Sequence, residues 1–293
     1  MPMTLAAGDT ERHPTRLRVK SCALDGEAAS VIGTRLTALS PRSPEAGDVP
    51  TRMVLLNDAL TGALIGIVDE RWSFAVRTGG SAVLALKYLA PKNTHTVGII
   101  GAGQVGRGAA YTVPAALPLV RRILVTDPMP GAGEQLANLV REQHGGHTDL
   151  EVTVLASPEA VLAAADAVVI ATTAPDAFVR SAWLRPGCTV CSLGGEPEVD
   201  LDAYALVDKL VVDDWDGVRN KRDMRTLIAE GTLDRSKVHA DYLELVSGQK
   251  PGRERPDERI LVRLEGLAIM DTAVSYHLCQ KAAAQGVGQR LVV

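Results

Sequence analysis

Short apolar runs alternate with longer amphipathic segments through the middle of the chain. The runs predict six strands, at residues 97–100, 123–126, 152–155, 167–171, 189–193 and 209–212. They are apolar throughout instead of alternating, which is typical of a parallel sheet covered on both faces. Helical patterns lie between them at residues 105–116, 133–143 and 158–165. This order predicts an α/β fold with a doubly wound parallel sheet of the Rossmann type.

The two ends of the chain lie outside this pattern. Before the sheet, the hydrophobic pattern predicts strands at 53–56 and 64–68 and a helix at 73–90. After it, the pattern predicts helices at 224–230 and 236–247, a strand in "RILVRL" and a helix at 267–284. Residues 40–50 are rich in Pro, Ser and Gly and predict a loop, whereas residues 1–15 have no clear pattern and are expected to be disordered. We therefore expect two domains. Residues 77–262 form the sheet domain, and residues 1–76 with 263–293 form a smaller α+β domain.

Composition excludes several classes of partner. The chain has 293 residues and a formal net charge of −4. No basic block indicates binding to nucleic acid or to an anionic membrane surface. No apolar run reaches the length of a membrane span, and the N-terminus has no apolar core of signal-peptide length. By elimination, we expect a cytoplasmic protein.

The four cysteines do not indicate a disulfide framework in a chain of this length. Cys188 and Cys191 form a C-x-x-C motif within "GCTVCSLGG", which reads as a buried strand. In a strand, residues three apart point to opposite faces, and no second Cys or His pair stands nearby. We interpret both cysteines as structural and expect no metal site.

The stretch "VGIIGAGQVGRGA" at residues 97–109 carries a G-x-G-x-x-G pattern between a strand and a helix. Gly101 allows the tight turn, Gly103 lets a pyrophosphate approach the backbone, and Gly106 lets the helix pack against the strand. The helix N-terminus favours phosphate. Asp127 ends the second strand, where a carboxylate accepts hydrogen bonds from the adenosine ribose and repels a 2′-phosphate. The pattern favours NAD over NADP; alternatively, Asp127 only begins a turn before Pro128.

The glycine motif and four further motifs extend this interpretation to most of the chain: "VRTGGSAVLALKYLA", "VGIIGAGQVG", "SLGGE", "LVVDDW" and "RLEGLAIMDTAV". In this order and spacing, from about Lys20 to the C-terminus, the chain resembles the ornithine cyclodeaminase/mu-crystallin family. The resemblance implies an NAD-dependent amino-acid enzyme whose smaller domain binds the substrate and pairs two copies into a homodimer.

Within that family, the segment from "LVVDDW" onward looks most like a 2,3-diaminopropionate-forming branch of the staphyloferrin B pathway type. Those dehydrogenases oxidise N-(1-amino-1-carboxy-2-ethyl)-glutamate with NAD, releasing 2,3-diaminopropionate and 2-oxoglutarate. Two alternatives stay open. The protein could be an ornithine or lysine cyclodeaminase or a cyclic imine reductase, or it could bind a ligand without turnover, as mu-crystallin does.

The resemblance also implies roles for individual residues. Lys20 matches a lysine that binds the substrate carboxylate, and Arg77 matches an arginine near that carboxylate. Glu196 matches the catalytic aspartate of ornithine cyclodeaminases. These types suit the chemistry, since a guanidinium binds a carboxylate in a forked manner and a carboxylate can remove a proton. Contacts with the cofactor are implied for Thr51, Thr78, Gln104, Val105, Thr172, Cys191, Ser192 and Leu193.

Each catalytic role has a structural alternative. Lys20 could be a solvated side chain, Arg77 could form a structural ion pair, and Glu196 could lie in a surface loop with Glu198 and Asp200. The chain also departs from the family pattern. The family's N-terminal portion before Lys20 is expected to be missing, "RTGG" replaces "RTAA", and glutamate replaces aspartate at position 196.

Overall fold

Two sheets of opposite type organise the chain, one antiparallel and one parallel. The computed structural model describes residues 3–6, 15–27, 29–39, 50–144 and 150–290. The strands are β1 (Met3–Ala6), β2 (Arg16–Gly26), β3 (Ala29–Leu39), β4 (Arg52–Asp58), β5 (Leu64–Asp69), β6 (Thr96–Ile100), β7 (Arg122–Thr126), β8 (Glu151–Val154), β9 (Ala167–Ile170), β10 (Thr189–Ser192), β11 (Lys209–Val212) and β12 (Ile260–Arg263). The helices are α1 (Arg71–Leu89), α2 (Gln104–Ala116), α3 (Ala132–His144), α4 (Pro158–Ala164), α5 (Ala203–Leu206), α6 (Trp215–Val218), α7 (Arg222–Ala229), α8 (Tyr242–Val246) and α9 (Ala268–Gln285).

The chain divides into two compact units. One contains Met1–Arg77 with Leu267–Val293, and the other contains Thr78–Gly266. We call them the terminal unit and the Rossmann unit. The boundary on the N-terminal side falls inside α1, and the boundary on the C-terminal side falls between β12 and α9.

The terminal unit contains the antiparallel sheet, in which β1 to β5 are neighbours in chain order. Its residues alternate in burial along β3, where Val31, Gly33, Arg35 and Thr37 are buried. Helix α9 packs against β2, β3, β4 and β5. A Cβ atom on Gly33 would lie 2.0 Å from Oγ1 of Thr272, so only glycine at this position lets α9 approach the sheet so closely.

The opposite face of the same sheet carries several apolar residues. Val19 lies opposite Leu36, and Leu55 lies opposite Ile67, so each pair shares a face. Ile65 lies two residues from Ile67 on the same strand and therefore on the same face. Val19, Leu36 and Leu55 are half-buried, whereas Ile65 is 41% exposed and Ile67 is 48% exposed. We call these five residues the apolar sheet face.

The Rossmann unit contains a seven-stranded parallel sheet in the order β11-β12-β10-β9-β6-β7-β8. All residues of β6, β9, β10, β11 and β12 are buried, as expected for a sheet covered on both faces. From β6, the chain adds β7 and β8 on one side and then β9 and β10 on the other. The order reverses between β6 and β9, which is where open α/β sheets bind ligands. The predicted fold class is confirmed.

The structure differs from the sequence prediction in three elements. The strand predicted in "RILVRL" is β12, and it joins the parallel sheet as a seventh strand between β10 and β11. The predicted helix 236–247 is shorter, because Asp241 forms a capping box that begins α8 at Tyr242, and Ala240 pairs with Val211 instead. The long strands β2 and β3 were not predicted.

Two sequence predictions fall largely outside the described residues. Of residues 1–15, the structure describes β1 and residue 15, and of the predicted loop 40–50 it describes residue 50. None of the described helices is both long enough and apolar enough to cross a bilayer.

Candidate functional site

The glycine turn between β6 and α2 has the geometry of a phosphate cradle. Gly101 has φ +101°, and a Cβ on Gly106 would lie 1.9 Å from the Gly101 carbonyl oxygen, so neither position accepts a side chain. A Cβ on Gly103 would meet nothing within 4 Å. Gly103 is also the N-cap of α2 and provides no side-chain cap to the helix. The N-terminal N–H groups of α2 therefore face an open space beside Gly103, and a pyrophosphate fits there. Gln104 and Val105 are the first two residues of α2.

Asp127 follows β7 and connects its end to the glycine turn. One carboxylate oxygen accepts a hydrogen bond from the Ala102 N–H at 2.7 Å, and the other accepts from the Met129 N–H at 2.8 Å. Asp127 thus closes the turn before Met129 and also bonds to the glycine turn at Ala102. An ionised carboxylate has about four acceptor positions. Asp127 therefore retains acceptor capacity for ribose hydroxyls.

Glu198 joins the ends of β9 and β10. Its Oε1 accepts from the N–H of Thr172 at 2.9 Å and from the hydroxyl of Thr172 at 2.6 Å. Its Oε2 accepts from the hydroxyl of Ser192 at 2.7 Å and from the N–H of Gly194 at 2.9 Å. Glu198 is 1% exposed. The structure thus brings Thr172 and Ser192 together through a residue that the sequence had suggested only as part of a surface loop.

A second buried group fixes the loop after β10 from the other side. Arg263, which is fully buried, donates to the Gly194 carbonyl at 2.7 Å and to Asp223 at 2.8 Å, and Tyr204 also donates to Asp223. Burial acts to raise the pKa of Asp223. The charge and hydrogen bond of Arg263 outweigh burial and hold that pKa below its usual value. Asp223 therefore stays ionised beneath the loop.

Glu196 lies in this loop and is exposed. Its side chain is 53% accessible, and its Oε2 lies 3.2 Å from Nε of Arg222. Arg222 also donates to the carbonyl of Pro175 at 2.6 Å. The predicted catalytic carboxylate thus lies past the carboxyl end of β10 and is oriented by an arginine that also contacts the loop after β9.

The terminal unit contains a buried group of opposite charges, which we call the charged cluster: Arg35, Glu70, Arg77 and Asp271. Arg35 pairs with Glu70 at 2.5 Å, and Arg77 pairs with Asp271 at 2.5 Å. Both guanidinium groups lie against the ring of Phe74, at 5.2 and 5.1 Å from its centroid. Burial lowers the pKa of Arg77, and the charge of Asp271 opposes that shift.

Lys20 borders the charged cluster. It lies directly opposite Arg35 in the pairing of β2 with β3, so the two side chains share one sheet face. Oε2 of Glu70 and Oδ2 of Asp271 are buried and have no hydrogen-bond partner among the described residues, whereas Oδ1 of Asp271 pairs with Nε of Arg77. The structure thus places Arg77 within the charged cluster and Lys20 opposite its member Arg35.

The other predicted cofactor residues differ in their surroundings. Thr78 follows Arg77 on α1, and its hydroxyl is buried without a hydrogen-bond partner in the described chain. Thr51 precedes β4, and its carbonyl accepts from the Ala38 N–H at 2.7 Å. Cys191 is fully buried on β10, while Leu193 is half-buried and donates its N–H to the Ile170 carbonyl.

Two of the cysteines, Cys188 and Cys191, are buried. Burial raises the pKa of Cys188 and raises that of Cys191 further, so both stay as thiols. All four cysteines are free, and the described residues contain no group of three His, Cys, Asp or Glu side chains suited to a metal ion.

Sequence comparison finds relatives along nearly the whole chain. A profile described as the ornithine cyclodeaminase/mu-crystallin family matches residues 6–286. N-((2S)-2-amino-2-carboxyethyl)-L-glutamate dehydrogenase of Staphylococcus aureus is 28% identical over 82% of this chain and 70% of its own length. Delta(1)-pyrroline-2-carboxylate reductase of Bacillus cereus is 26% identical over 90% of this chain and 82% of its own length.

Solved structures with the same fold contain nicotinamide cofactors. The Delta(1)-pyrroline-2-carboxylate reductase of Thermococcus litoralis in complex with NADH and L-proline has a TM-score of 0.85 and 29% identity, covering 99% of this chain and 88% of its own. An archaeal alanine dehydrogenase dimer with bound NAD has a TM-score of 0.83 and 25% identity, covering 100% of this chain and 87% of its own.

Proposed function

Because the chain belongs to the ornithine cyclodeaminase/mu-crystallin family, we propose that it oxidises a C–N bond of an amino acid, and specifically that of N-(1-amino-1-carboxy-2-ethyl)-glutamate. The products would be 2,3-diaminopropionate and 2-oxoglutarate. The enzyme class and the NAD cofactor predicted from the sequence are confirmed by the relatives, which include dehydrogenases and reductases, and by structures that contain NADH or NAD. The substrate is supported by the S. aureus relative.

The observation that carries the substrate class is the charged cluster. An amino acid presents a carboxylate and an amino group, so it needs both fixed cations and acceptors. The cluster supplies guanidinium groups from Arg35 and Arg77, and one oxygen each of Glu70 (Oε2) and Asp271 (Oδ2) that lacks a hydrogen-bond partner among the described residues. Lys20 adds a further cation on the same sheet face. We assign Lys20 and Arg77 to the substrate carboxylate.

The chemistry requires a base as well as an electron acceptor. NAD, when bound, supplies the acceptor for two electrons. The chain itself must take the proton from the substrate nitrogen and activate the water that attacks the C=N bond. We assign both steps to Glu196, whose ion pair with Arg222 orients its carboxylate.

A second candidate function is the reduction of a cyclic imine. The T. litoralis neighbour, which is a reductase of this kind, was solved with NADH and L-proline and is 29% identical to this chain. A cyclic imine carries the same carboxylate beside its C=N carbon, so the charged cluster would suit it equally. Formation of a ring from ornithine or lysine is a variant of the same chemistry.

We also propose the domain and subunit organisation. Residues 77–262 would form the NAD-binding domain, and residues 1–76 with 263–293 the substrate and dimerisation domain. The exposed isoleucines of the apolar sheet face support a homodimer, because a monomer would leave this apolar surface in water. The archaeal neighbour was solved as a dimer.

Product analysis by mass spectrometry tests the function. The purified protein is incubated with NADH, 2-oxoglutarate and 2,3-diaminopropionate, with NADH and pyrroline-2-carboxylate, and with NAD and ornithine or lysine. We expect the reduced diaminopropionate–oxoglutarate conjugate in the first reaction. Proline from the second reaction alone would favour the imine reductase, and proline or pipecolate from the third a cyclodeaminase. Bound NADH with no product in any reaction would favour a binding protein.

Two variants test the role of Glu196. We expect Glu196→Gln to lower kcat by about 10²–10⁴-fold with NADH affinity unchanged, because the amide cannot accept the proton. Glu159→Gln is the matched control, since Glu159 is an exposed glutamate on α4. Equal activity of Glu196→Gln and the wild type would contradict the assignment.

A further inference from the structure

We propose that Glu198 is a positioning residue that fixes the ends of β9 and β10 in the arrangement that receives the nicotinamide half of NAD. The inference rests on the proposed use of NAD and adds a residue that neither the motif nor the proposed chemistry requires. Glu198 lies two residues after Glu196, but unlike Glu196 it is almost fully buried.

The hydrogen bonds of Glu198 are divided between two strands. Among the described residues, Oε1 accepts only from Thr172, which follows β9, and Oε2 accepts only from Ser192 and Gly194, at the end of β10. Four donors fill the acceptor capacity of one carboxylate. Glu198 therefore has no capacity for a ligand, and its role is to set the distance between two strand ends beyond their last paired residues.

Glu198 is itself held in place by the main chain. Its carbonyl accepts hydrogen bonds from the N–H groups of Phe178 and Val179, and Val179 also pairs with Val199. Because its backbone is held in place, the Glu198 carboxylate can hold Thr172, Ser192 and Gly194 at fixed positions. On the other side, Arg263 binds the Gly194 carbonyl, so Gly194 is held at both its N–H and its C=O.

The sheet order indicates which half of the cofactor meets these strand ends. The cradle follows β6, and Asp127 follows β7, so the adenosine half belongs on the β7 side. β9 and β10 lie on the other side of β6. A dinucleotide bound across the reversal of strand order therefore places its nicotinamide half over the ends of β9 and β10.

The contacts require a carboxylate and not only a side chain of the same shape. All four partners donate to Glu198, so glutamine would turn its NH₂ group toward at least one donor. Glu198→Gln should therefore disturb one strand end while the adenosine side stays unchanged. A general loss of stability would affect both halves of the cofactor site equally.

Binding measurements with two ligands test this inference. Dissociation constants of NADH and of ADP-ribose, which lacks the nicotinamide, are measured by calorimetry for the wild type and for Glu198→Gln. We expect the affinity for NADH to fall about tenfold, the loss expected when one hydrogen bond to a charged group is replaced by a repulsive contact. The affinity for ADP-ribose should change by less than about twofold, since the glycine turn and Asp127 follow β6 and β7, whereas Glu198 bonds to the ends of β9 and β10.

Glu258→Gln is the matched control. Glu258 is also a buried glutamate that accepts from a backbone N–H, that of Glu254 at 2.9 Å, but it precedes the amino end of β12. We expect Glu258→Gln to leave the ratio of the two dissociation constants unchanged, even if the melting temperature falls.

Two further results would overturn the proposal: an equal loss of affinity for both ligands, or no loss for either. If Glu198→Gln does not fold, Ser192→Ala removes one donor at small structural cost, and the same ratio is measured. Because both ligands are tested by binding, a wild type that binds NADH but lacks the proposed turnover would refute the proposed function and not this inference.

Discussion

The pKa values of two buried glutamates, Glu70 and Glu258, are shifted in opposite directions. Burial raises the pKa of Glu70 above its ordinary value, although the charge and hydrogen bond of Arg35 oppose that shift. Burial also acts to raise the pKa of Glu258, but there a hydrogen bond from the Glu254 N–H and contact with Lys209 outweigh burial and lower it. Burial thus favours the neutral form of Glu70 in the terminal unit, whereas the hydrogen bonds of Glu258 favour its ionised form in the Rossmann unit.

This difference predicts opposite pH dependences for two variants. A raised folded-state pKa contributes stability at low pH, and the contribution is lost as the pH rises from about 4.5 through the folded-state value. The unfolding free energy of the wild type minus that of Glu70→Gln should therefore decrease with rising pH in that window. For Glu258→Gln the same difference should increase as the pH rises toward about 4.5.

Urea unfolding from pH 3.5 to pH 8 checks both slopes, with each variant serving as the control for the other. Parallel slopes for the two variants would contradict the assignment of the two environments.

Residue roles could be predicted from the sequence only where they depend on local spacing. Gly101, Gly103 and Gly106 lie within one turn, so the motif could predict the close contacts of Gly101 and Gly106. Glu198 acts through Thr172, which lies far from it in the sequence, and its neighbours Glu196 and Asp200 make the segment look polar. No signal in the sequence separates Glu196 from Glu198, because only the hydrogen bonds between strands do so.

Among the elements, the strand–turn–helix at β6 and α2 is the one that we predict to bind the cofactor phosphates. Its glycines are required for different reasons. Gly106 has no room for a methyl group, since its Cβ would lie 1.9 Å from the Gly101 carbonyl oxygen, whereas Gly103 has open space beside it. Gly103 also has φ −69°, which any residue adopts without strain.

Alanine substitutions should separate these two roles. We expect Gly103→Ala to change the unfolding free energy by no more than about 0.5 kcal/mol, while its methyl group blocks the pyrophosphate and weakens NADH binding by about tenfold or more. Gly106→Ala should cost about 1–3 kcal/mol of stability in the absence of any ligand. Thermal unfolding and NADH titration of both variants check this. A strongly destabilised Gly103→Ala would contradict the open cradle.

Strands β2 and β3, which the sequence did not predict, and β12, whose place in the sheet it did not predict, carry charged residues at buried or half-buried positions. Strands β2 and β3 carry Lys20 and Arg35 on the face covered by α9, which interrupts the apolar pattern that normally marks a buried sheet face. Strand β12 ends in the fully buried Arg263. Partners for these charges come from distant segments, so a pattern of neighbouring residues could not reveal that the charges are buried.

At the scale of the whole molecule, the chain ends combine into one unit while the middle forms the other. The fold class could be predicted because the apolar runs of the parallel sheet are local and repeated. The seventh strand could not, since β12 inserts between β10 and β11 far from its neighbours in sequence. In the proposed function the substrate class likewise depends on the charged cluster, whose members come from β3, α1, α9 and the residue before α1, Glu70.

The proposed homodimer predicts the effect of a charge on the apolar sheet face. We expect Ile67→Glu to convert the wild-type dimer into a monomer, because a carboxylate buried between two copies would be desolvated without a partner. Leu60→Glu is the control, since Leu60 is 87% exposed in the turn between β4 and β5. Size-exclusion chromatography with light scattering measures the mass. A wild type that is monomeric, or an Ile67→Glu variant that stays dimeric, would contradict the proposal.

Helix α9 packs against strands that are complete by Asp69, yet it begins only at Ala268. During synthesis at about 5–20 residues per second, those strands therefore leave the ribosome on the order of ten seconds or more before the helix that covers them. Throughout that interval Val31, Val54 and Leu56 form an uncovered apolar surface on the nascent chain. A ribosome-associated chaperone has its longest opportunity to bind at this surface, and a chain that stops before Ala268 would expose it permanently.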